Sequence, residues 1–535
     1  MPPLTYRELV RSFLDLRWQL DPVAATQAGV RAHDARLGAF TRADVRRSVA
    51  ALKTMTAAFE ECETDVLADE IDQTAVLNEL RVTISRFEKE RPHELNPEFH
   101  LSHVLTAFFS LMSRADRPAA ERGLALASRL AATPRFLADA QATLTRPPRT
   151  FTETALKVAE GGRILLAEGI SAFAARTGPE VRAALAEALP PARAALEEFI
   201  AFVGGELLDR SDGDYAIGRE QFDFRVQFEH ALRETAPGLL RYGEALVGEV
   251  EAELERRAAA VAPDLPWRAL LERLRRQHPL AEGLVDSYAA EMERAKRFVL
   301  DRGLARVPEG ALEVVATPDF MAPLIPFAAY DPPGAFAVAR TGTFYVTVPR
   351  AGEPREHCVH QLAATALHEG YPGHHLQHLW AQGLDSPIRR VVWTPLTVEG
   401  WALYCEELMA EEGFYARPEA ALFHLLYLLW RAARVVLDVR LHTMGMRDYE
   451  AATYLSDLLG ISRPNAEAEV RRYCVAPGYQ LCYAVGRREL LRLREDYRAR
   501  AGSAFTLRRF HDEVLAYGGL PVSLMRWGMG LGDAE

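Results

Sequence analysis

Apolar residues that return every third or fourth position dominate most of this chain, as they do in amphipathic helices. The pattern predicts a helix over residues 5–20. It continues through long alanine-, leucine-, arginine- and glutamate-rich stretches at about 42–90, 119–144, 151–175, 179–207, 226–260 and 266–304. Arg146-Pro147-Pro148, Pro190-Pro191 and Asp212-Gly213-Asp214 punctuate these stretches. Their apolar stripes are read as core packing, and no repeat of fixed period is evident. Near residue 305 the pattern changes. From Leu312 to Pro349 proline, aromatic and β-branched residues become frequent. Residues 341–349 alternate with period two, as a half-exposed strand does, and Val314-Val315-Ala316 reads as a second short strand. Helix then returns from Cys358 to Tyr371, with Leu362, Ala363 and Ala366 on its apolar face. Thr397 is placed to cap a further helix, which puts Glu399 in its first turn. The expectation is a mainly α protein with a small β-sheet, divided into a helical lobe over 1–305 and a second lobe over 306–535.

Composition narrows the function without naming it. Hydrophobic residues make up 49% of the 535 and charged residues 26%, ordinary values for a soluble globular protein. The 63 basic and 74 acidic residues give a net charge of −11, which argues against a broad nucleic-acid surface. The five cysteines, Cys62, Cys358, Cys405, Cys474 and Cys482, are scattered, with no Cys-x-x-Cys, so a reducing compartment is expected rather than a disulfide framework. The N-terminus lacks a basic then apolar leader, and no run approaches about 18 uninterrupted apolar residues. The protein is therefore expected in the cytoplasm, without a membrane partner; the sequence leaves its oligomeric state open between monomer and homodimer.

Candidate chemistry lies in His368-Glu369-Gly370-Tyr371-Pro372-Gly373-His374-His375, followed by Glu399-Gly400-Trp401-Ala402. A hydrolytic zinc site needs three protein ligands, an open position and a nearby general base. His368, His374 and Glu399 would supply the ligands for one Zn²⁺, and Glu369 the base. The histidine spacing is unusual. Paired ligands on one straight helix stand four residues apart, but position i+4 from His368 is Pro372. On a continuous helix His374 would sit about 9 Å along the axis and about 120° round, and His375 about 10.5 Å along. Proline breaks the helix and glycine admits unusual backbone angles, so a bend at Pro372-Gly373 is needed to return His374 to His368. The plainer reading is a helix that ends at Tyr371, with incidental histidines beyond it. Glu406, seven residues after Glu399, is either an orienting partner for a ligand or one of several surface glutamates, and the second reading is preferred.

The run Ala366 to Gln377 resembles the signature of the bacterial domain-of-unknown-function family 885. Glu399 to Tyr404, Arg434 through Asp438 to His442, Pro477-Gly478-Tyr479-Gln480 through Tyr483 to Gly486, and Phe510-His511-Asp512 through Gly518-Gly519-Leu520-Pro521 resemble its other motifs. The resemblance is specific from about residue 310 onward. Tyr479-Gln480 stands where that family usually has Gln-Ala, and Arg440 where it usually has glycine. The family is similar in fold to the zincin-like thermostable carboxypeptidase Taq family. That similarity implies a multi-helical metallopeptidase fold with a small sheet beside the cleft, and a short peptide as substrate. It places Tyr483 as the oxyanion donor, with His442, four residues after Asp438 on the same helix face and held by it, as second candidate; the alternative for either is an ordinary buried polar residue with a satisfied hydrogen bond. It also points to an edge strand that holds substrate, for which Tyr345, Val346 and Thr347 are the candidates, evenly weighed against a structural hairpin. The family tolerates aromatic residues at position 375, which argues against His375 as a ligand, and His357, His360 and His378 are read as surface or supporting residues. A zinc hydrolase of a non-peptide amide or small metabolite is the second expectation. A non-catalytic scaffold with a degenerate site is the third, opposed by the presence of Glu369.

Overall fold

The computed structural model describes residues 4–114, 117–318, 321–322, 325, 327–350 and 356–532, and these are mainly helical with one small sheet. The chain divides into two compact units. The first holds residues 1–215 with pieces from 318–326 and 334–339, and the second holds 216–317, 327–333 and 340 onward. The division falls at 215/216, so the boundary expected at 305 lies inside the second unit. Composition changes at 305 because the sheet begins there, not because a unit ends.

In the first unit helices α1 (Pro97–Ser113), α2 (Ala119–Thr143) and α3 (Pro179–Phe202) form the centre, with α2 packed along both others. Leu101, Phe108, Leu126, Leu130, Leu185, Leu196 and Phe199 fill the space between them. The stretch expected over 42–90 is two helices, Arg42–Glu60 and Leu67–Ser85, followed by one wider, π-helical turn at Arg86–Glu90. The break expected at Pro190-Pro191 does not occur, and both prolines lie inside α3. An interior proline costs a helix roughly 3 kcal/mol. Leu185, Ala188, Ala192 and Ala195 flank the pair on the buried side. Val181, Leu196 and Phe199 of the same helix are buried as well, and at about 1.5–3 kcal/mol for each large apolar side chain the whole stripe outweighs the roughly 6 kcal/mol that two prolines cost.

The second unit runs through α4 (Ala236–Val261), α5 (Leu284–Asp301), β1 (Ala311–Ala316), β2 (Ala328–Asp331) and β3 (Thr341–Val346). It continues with α6 (Leu362–Glu369), α7 (His374–Gln382), α8 (Pro395–Glu411), α9 (Pro418–Thr443), α10 (Arg463–Val475) and α11 (Cys482–Ala501). The sheet order is β1-β3-β2, with β3 parallel to β1 and antiparallel to β2. Thr341–Val346 is thus the middle strand and not the expected edge. Its Phe344 and Val346 pack on Tyr288 and Met292 of α5 and on Leu362 and Ala366 of α6, which fixes the sheet to the helix that carries His368.

Helix α9 packs along α4. It is the one helix among the described residues long and apolar enough to cross a bilayer, but 72% of its most apolar window is buried in the protein. Helices α8 and α11 cross at Gly400 and Gly486. A Cβ on Gly486 would lie 1.9 Å from the Leu396 carbonyl oxygen, and one on Gly400 2.5 Å from Gly486, so glycine alone permits the approach. Helix α8 begins at Pro395 behind Thr394, whose hydroxyl accepts from the Leu396 N–H. Thr397 is not the cap. Its hydroxyl donates to the Leu520 carbonyl at 2.7 Å, while the Thr394 N–H donates to the Gly519 carbonyl at 2.9 Å. The closing segment therefore clamps the start of α8.

Candidate metal centre

The bend between the two histidines is built from glycine and proline. Helix α6 stops at Glu369, the Tyr371–Pro372 peptide is cis, and α7 starts at His374. The Gly373 N–H donates to the Leu367 carbonyl at 3.0 Å. A Cβ on Gly373 would lie 2.0 Å from the His368 carbonyl oxygen, so a side chain there would push the two helices apart. The His368 and His374 rings consequently meet with centroids 4.8 Å apart. Glu399 reaches them from the second turn of α8. Trp401 holds that helix against the bend, its indole N–H donating to the Pro372 carbonyl at 2.9 Å.

One nitrogen or oxygen from each of His368, His374 and Glu399 lies within 4.8 Å of the others. Glu399 Oε2 is 3.6 Å from His368 Nε2 and 3.5 Å from His374 Nε2. Those separations are too long for good hydrogen bonds, and Oε2 is buried without a hydrogen-bond partner among the described residues. They match the edge of a tetrahedron with bonds of about 2.1 Å, which is about 3.4 Å. Two neutral imidazoles and a carboxylate are also ordinary zinc ligands. The residues present fit a zinc ion.

Glu406 corrects the surface reading given to it. It is 1% exposed and accepts from His368 Nδ1 at 2.8 Å. A carboxylate only accepts, so Nδ1 carries a proton and Nε2 is the nitrogen left to offer a lone pair to an ion in the cluster. Such carboxylate–imidazole pairs orient metal ligands. Arg431 lies 3.6 Å and His424 3.4 Å from Glu406. Burial opposes charge on His368, yet the neighbouring Glu399 carboxylate and the hydrogen-bonded Glu406 carboxylate outweigh it and lift the imidazole to about 9. Burial likewise resists ionisation of Glu399, and the two histidines overcome it, so its carboxyl stays well below the usual range. The centre favours positive charge.

A cavity of about 260 Å³ opens on this cluster, and Glu369, Tyr483, Tyr330, His378 and Val398 share its wall with the three candidate ligands. Glu369 is half-buried there. The Tyr483 ring stacks near His368 at 6.3 Å, under the Arg434 guanidinium at 5.0 Å. Burial, with Glu399 nearby, keeps its hydroxyl protonated far above the ordinary tyrosine range.

Tyr479 was missed as a site residue, although its departure from the family pattern flagged it. Its hydroxyl donates to Glu399 Oε1 at 2.5 Å. Burial and the Glu399 charge raise its pKa strongly, so it remains a donor. Asp438 steadies the loop that bears it by accepting from the Gly478 N–H at 3.0 Å and the Leu481 N–H at 3.2 Å.

Several expected site residues are elsewhere. His442 is fully buried, and its Nε2 donates to the Tyr473 carbonyl at 3.0 Å. It is not on the cavity wall, so it is not an oxyanion donor, and Asp438 serves the loop rather than His442. Tyr345 and Val346 are buried in the middle strand, and Thr347 N–H donates to Phe327 at 2.9 Å, so these three do not present a free strand edge. The neighbouring edge strand β2 carries Tyr330 to the cavity instead. His375 turns away from the cluster, its Nδ1 2.9 Å from the Tyr330 hydroxyl. His357 and His360 are buried rather than on the surface, bonded to the Thr347 carbonyl and to Gln277. All five cysteines are unpaired.

The sequence profile of DUF885, a bacterial protein family of unknown function, matches residues 22–529. The chain belongs to this family. No curated protein matches it. The fold is shared with a solved structure of a candidate lipoprotein of unknown function from Shewanella oneidensis. That likeness has a TM-score of 0.80 and 22% identity, over 98% of this chain and 100% of the other. A candidate lipoprotein from Colwellia psychrerythraea is also similar, with a TM-score of 0.85 and 17% identity over 98% of each chain. At these identities the DUF885 likeness to solved structures concerns the fold alone.

Proposed function

We propose that this protein is a zinc-dependent hydrolase that cleaves amide bonds in short peptides. The observation that carries the reading is the convergence of His368 Nε2, His374 Nε2 and Glu399 Oε2 on one cavity, with Glu369 on its wall. A zinc ion held by these three would lower the pKa of a bound water towards 7 and polarise the substrate carbonyl. Glu369 takes the proton from water as the new C–O bond forms, then delivers it to the nitrogen as the C–N bond breaks. The Tyr483 hydroxyl, kept protonated by burial, donates to the carbonyl oxygen as it gains negative charge. Tyr330 on the edge strand supports an extended backbone lying along β2, a zincin-like mode of holding substrate. The cavity is below the usual 300–1,000 Å³ of ligand pockets, which favours a small substrate.

A non-peptide amide fits the same residues and forms the second reading. The names of the structural neighbours favour an extracytoplasmic setting over the cytoplasmic one expected from composition. The test is a peptide-library digest with Glu369→Gln as control. The variant should keep its zinc and lose about 10²–10⁴-fold in rate. Undiminished cleavage by the variant would remove Glu369 as the base. A zinc-loaded protein that cleaves simple amides but no peptide would select the second reading.

A further inference from the structure

Glu399 presents two oxygens to two different neighbours. Oε2 faces the His368 and His374 nitrogens at 3.6 and 3.5 Å, while Oε1 accepts the Tyr479 hydroxyl at 2.5 Å. A carboxylate that is not restrained this way can turn and offer both oxygens to one ion. We infer that Tyr479 is a positioning residue that makes Glu399 a one-oxygen ligand and so sets both the affinity and the coordination number of the metal. The inference rests on the proposed metal site and specifies it further.

The surroundings of Tyr479 are built to hold that hydroxyl in place. Its loop is pinned on three sides by groups that do not line the cavity. Asp438 accepts from Gly478 and Leu481, His230 Nε2 donates to the Gly478 carbonyl at 2.9 Å, and Arg225 donates to the Pro477 carbonyl at 2.7 Å. Gly478 has φ +77°, a conformation that suits glycine. The Tyr479 ring also lies 6.1 Å from that of Tyr483, edge to face, so the loop supplies the restraint on the ligand and the first turn of α11, directly after it, supplies the donor on the cavity wall. Glutamine offers an amide N–H to the same Oε1 without the aromatic ring. Phenylalanine keeps the ring and loses the donor.

The experiment compares zinc affinity of the metal-free wild type, Tyr479→Phe and Tyr479→Gln by competition with a chromophoric chelator. Cobalt(II) is loaded in parallel to read coordination number from its visible absorption. Loss of a partner that orients a ligand typically costs 10–100-fold in metal affinity. Tyr479→Phe should weaken zinc binding by that factor and shift the cobalt spectrum from strong four-coordinate bands to weaker ones of higher coordination. Tyr479→Gln should stay close to wild type in both. Circular dichroism of the metal-free proteins checks that all three fold alike. If Tyr479→Phe binds zinc as tightly as wild type with an unchanged cobalt spectrum, Tyr479 is not a positioning residue although the metal site stands. If Tyr479→Gln falls with Tyr479→Phe, the donor is not what matters and the inference fails. If wild type binds neither ion, the metal site and this inference fail together.

Discussion

Both units bury charged and titratable side chains, but they satisfy them differently. In the first unit Arg129 is fully buried, and its guanidinium donates to the carbonyls of Arg36, Ala107 and Pro22 and to the Thr26 hydroxyl. His100 is as deeply buried, gives its Nε2 proton to the His93 carbonyl at 2.8 Å, and is pushed down to about 4 by burial. These groups tie one chain segment to another and are used up in doing so. In the second unit Glu399, Glu406, His368 and His374 are also buried, yet His368, His374 and Glu399 converge, and Glu399 Oε2 is left with no hydrogen bond among the described residues. A buried polar atom is costly to leave unpaired. Burial of polar residues is therefore no sign of a site by itself. The sign is several donors aimed at one point that none of them fills.

That contrast can be broken by substitution. The largest effect should come from the histidine bend. Structural zinc binding is worth about 10–16 kcal/mol over four ligands, so losing one should cost on the order of 10²–10³-fold in affinity. His374→Ala should show that loss, while His375→Ala, bonded instead to Tyr330, should stay within about tenfold. A reversed order would mean that the other imidazole is the ligand. Arg129→Met should act on the opposite property. Each buried carbonyl left without its donor costs about 1–3 kcal/mol. Denaturant melts should therefore show a loss of at least about 2 kcal/mol with zinc stoichiometry untouched. An altered zinc content would show that the two kinds of burial are not independent. The smallest effect should be Glu406→Gln, which keeps the shape but removes the charge behind His368. Zinc affinity should fall about 10–100-fold. No change in affinity would make Glu406 an ordinary buried ion pair with Arg431.

The sequence foretold much of this and misplaced the rest for identifiable reasons. Helical periodicity placed most helices, because an apolar stripe is a local property. It did not foresee that α3 would continue through Pro190 and Pro191, since the packing that carries it comes from α2. The alternation at 341–346 identified a strand but not its neighbours, and pairing on both sides is what removed Tyr345 and Val346 from the cavity. Pro372-Gly373 gave the bend, because the wrong spacing of His368 and His374 demanded one. The i, i+7 relation of Glu399 and Glu406 was visible, but the partner that decides it, His368, lies on another helix. His442 looked promising by its i, i+4 spacing from Asp438. His442 Nε2 is 3.8 Å from Asp438 Oδ1, while each makes shorter bonds to backbone elsewhere.

The central claim is that His368, His374 and Glu399 form one metal site. Elemental analysis of protein purified without added metal, and again after incubation with zinc and desalting, tests it most directly when Glu399→Ala is carried alongside. About one zinc per chain in the wild type, lost in the variant, is the predicted result. No zinc in the wild type even after incubation, or equal zinc in both proteins, would contradict it.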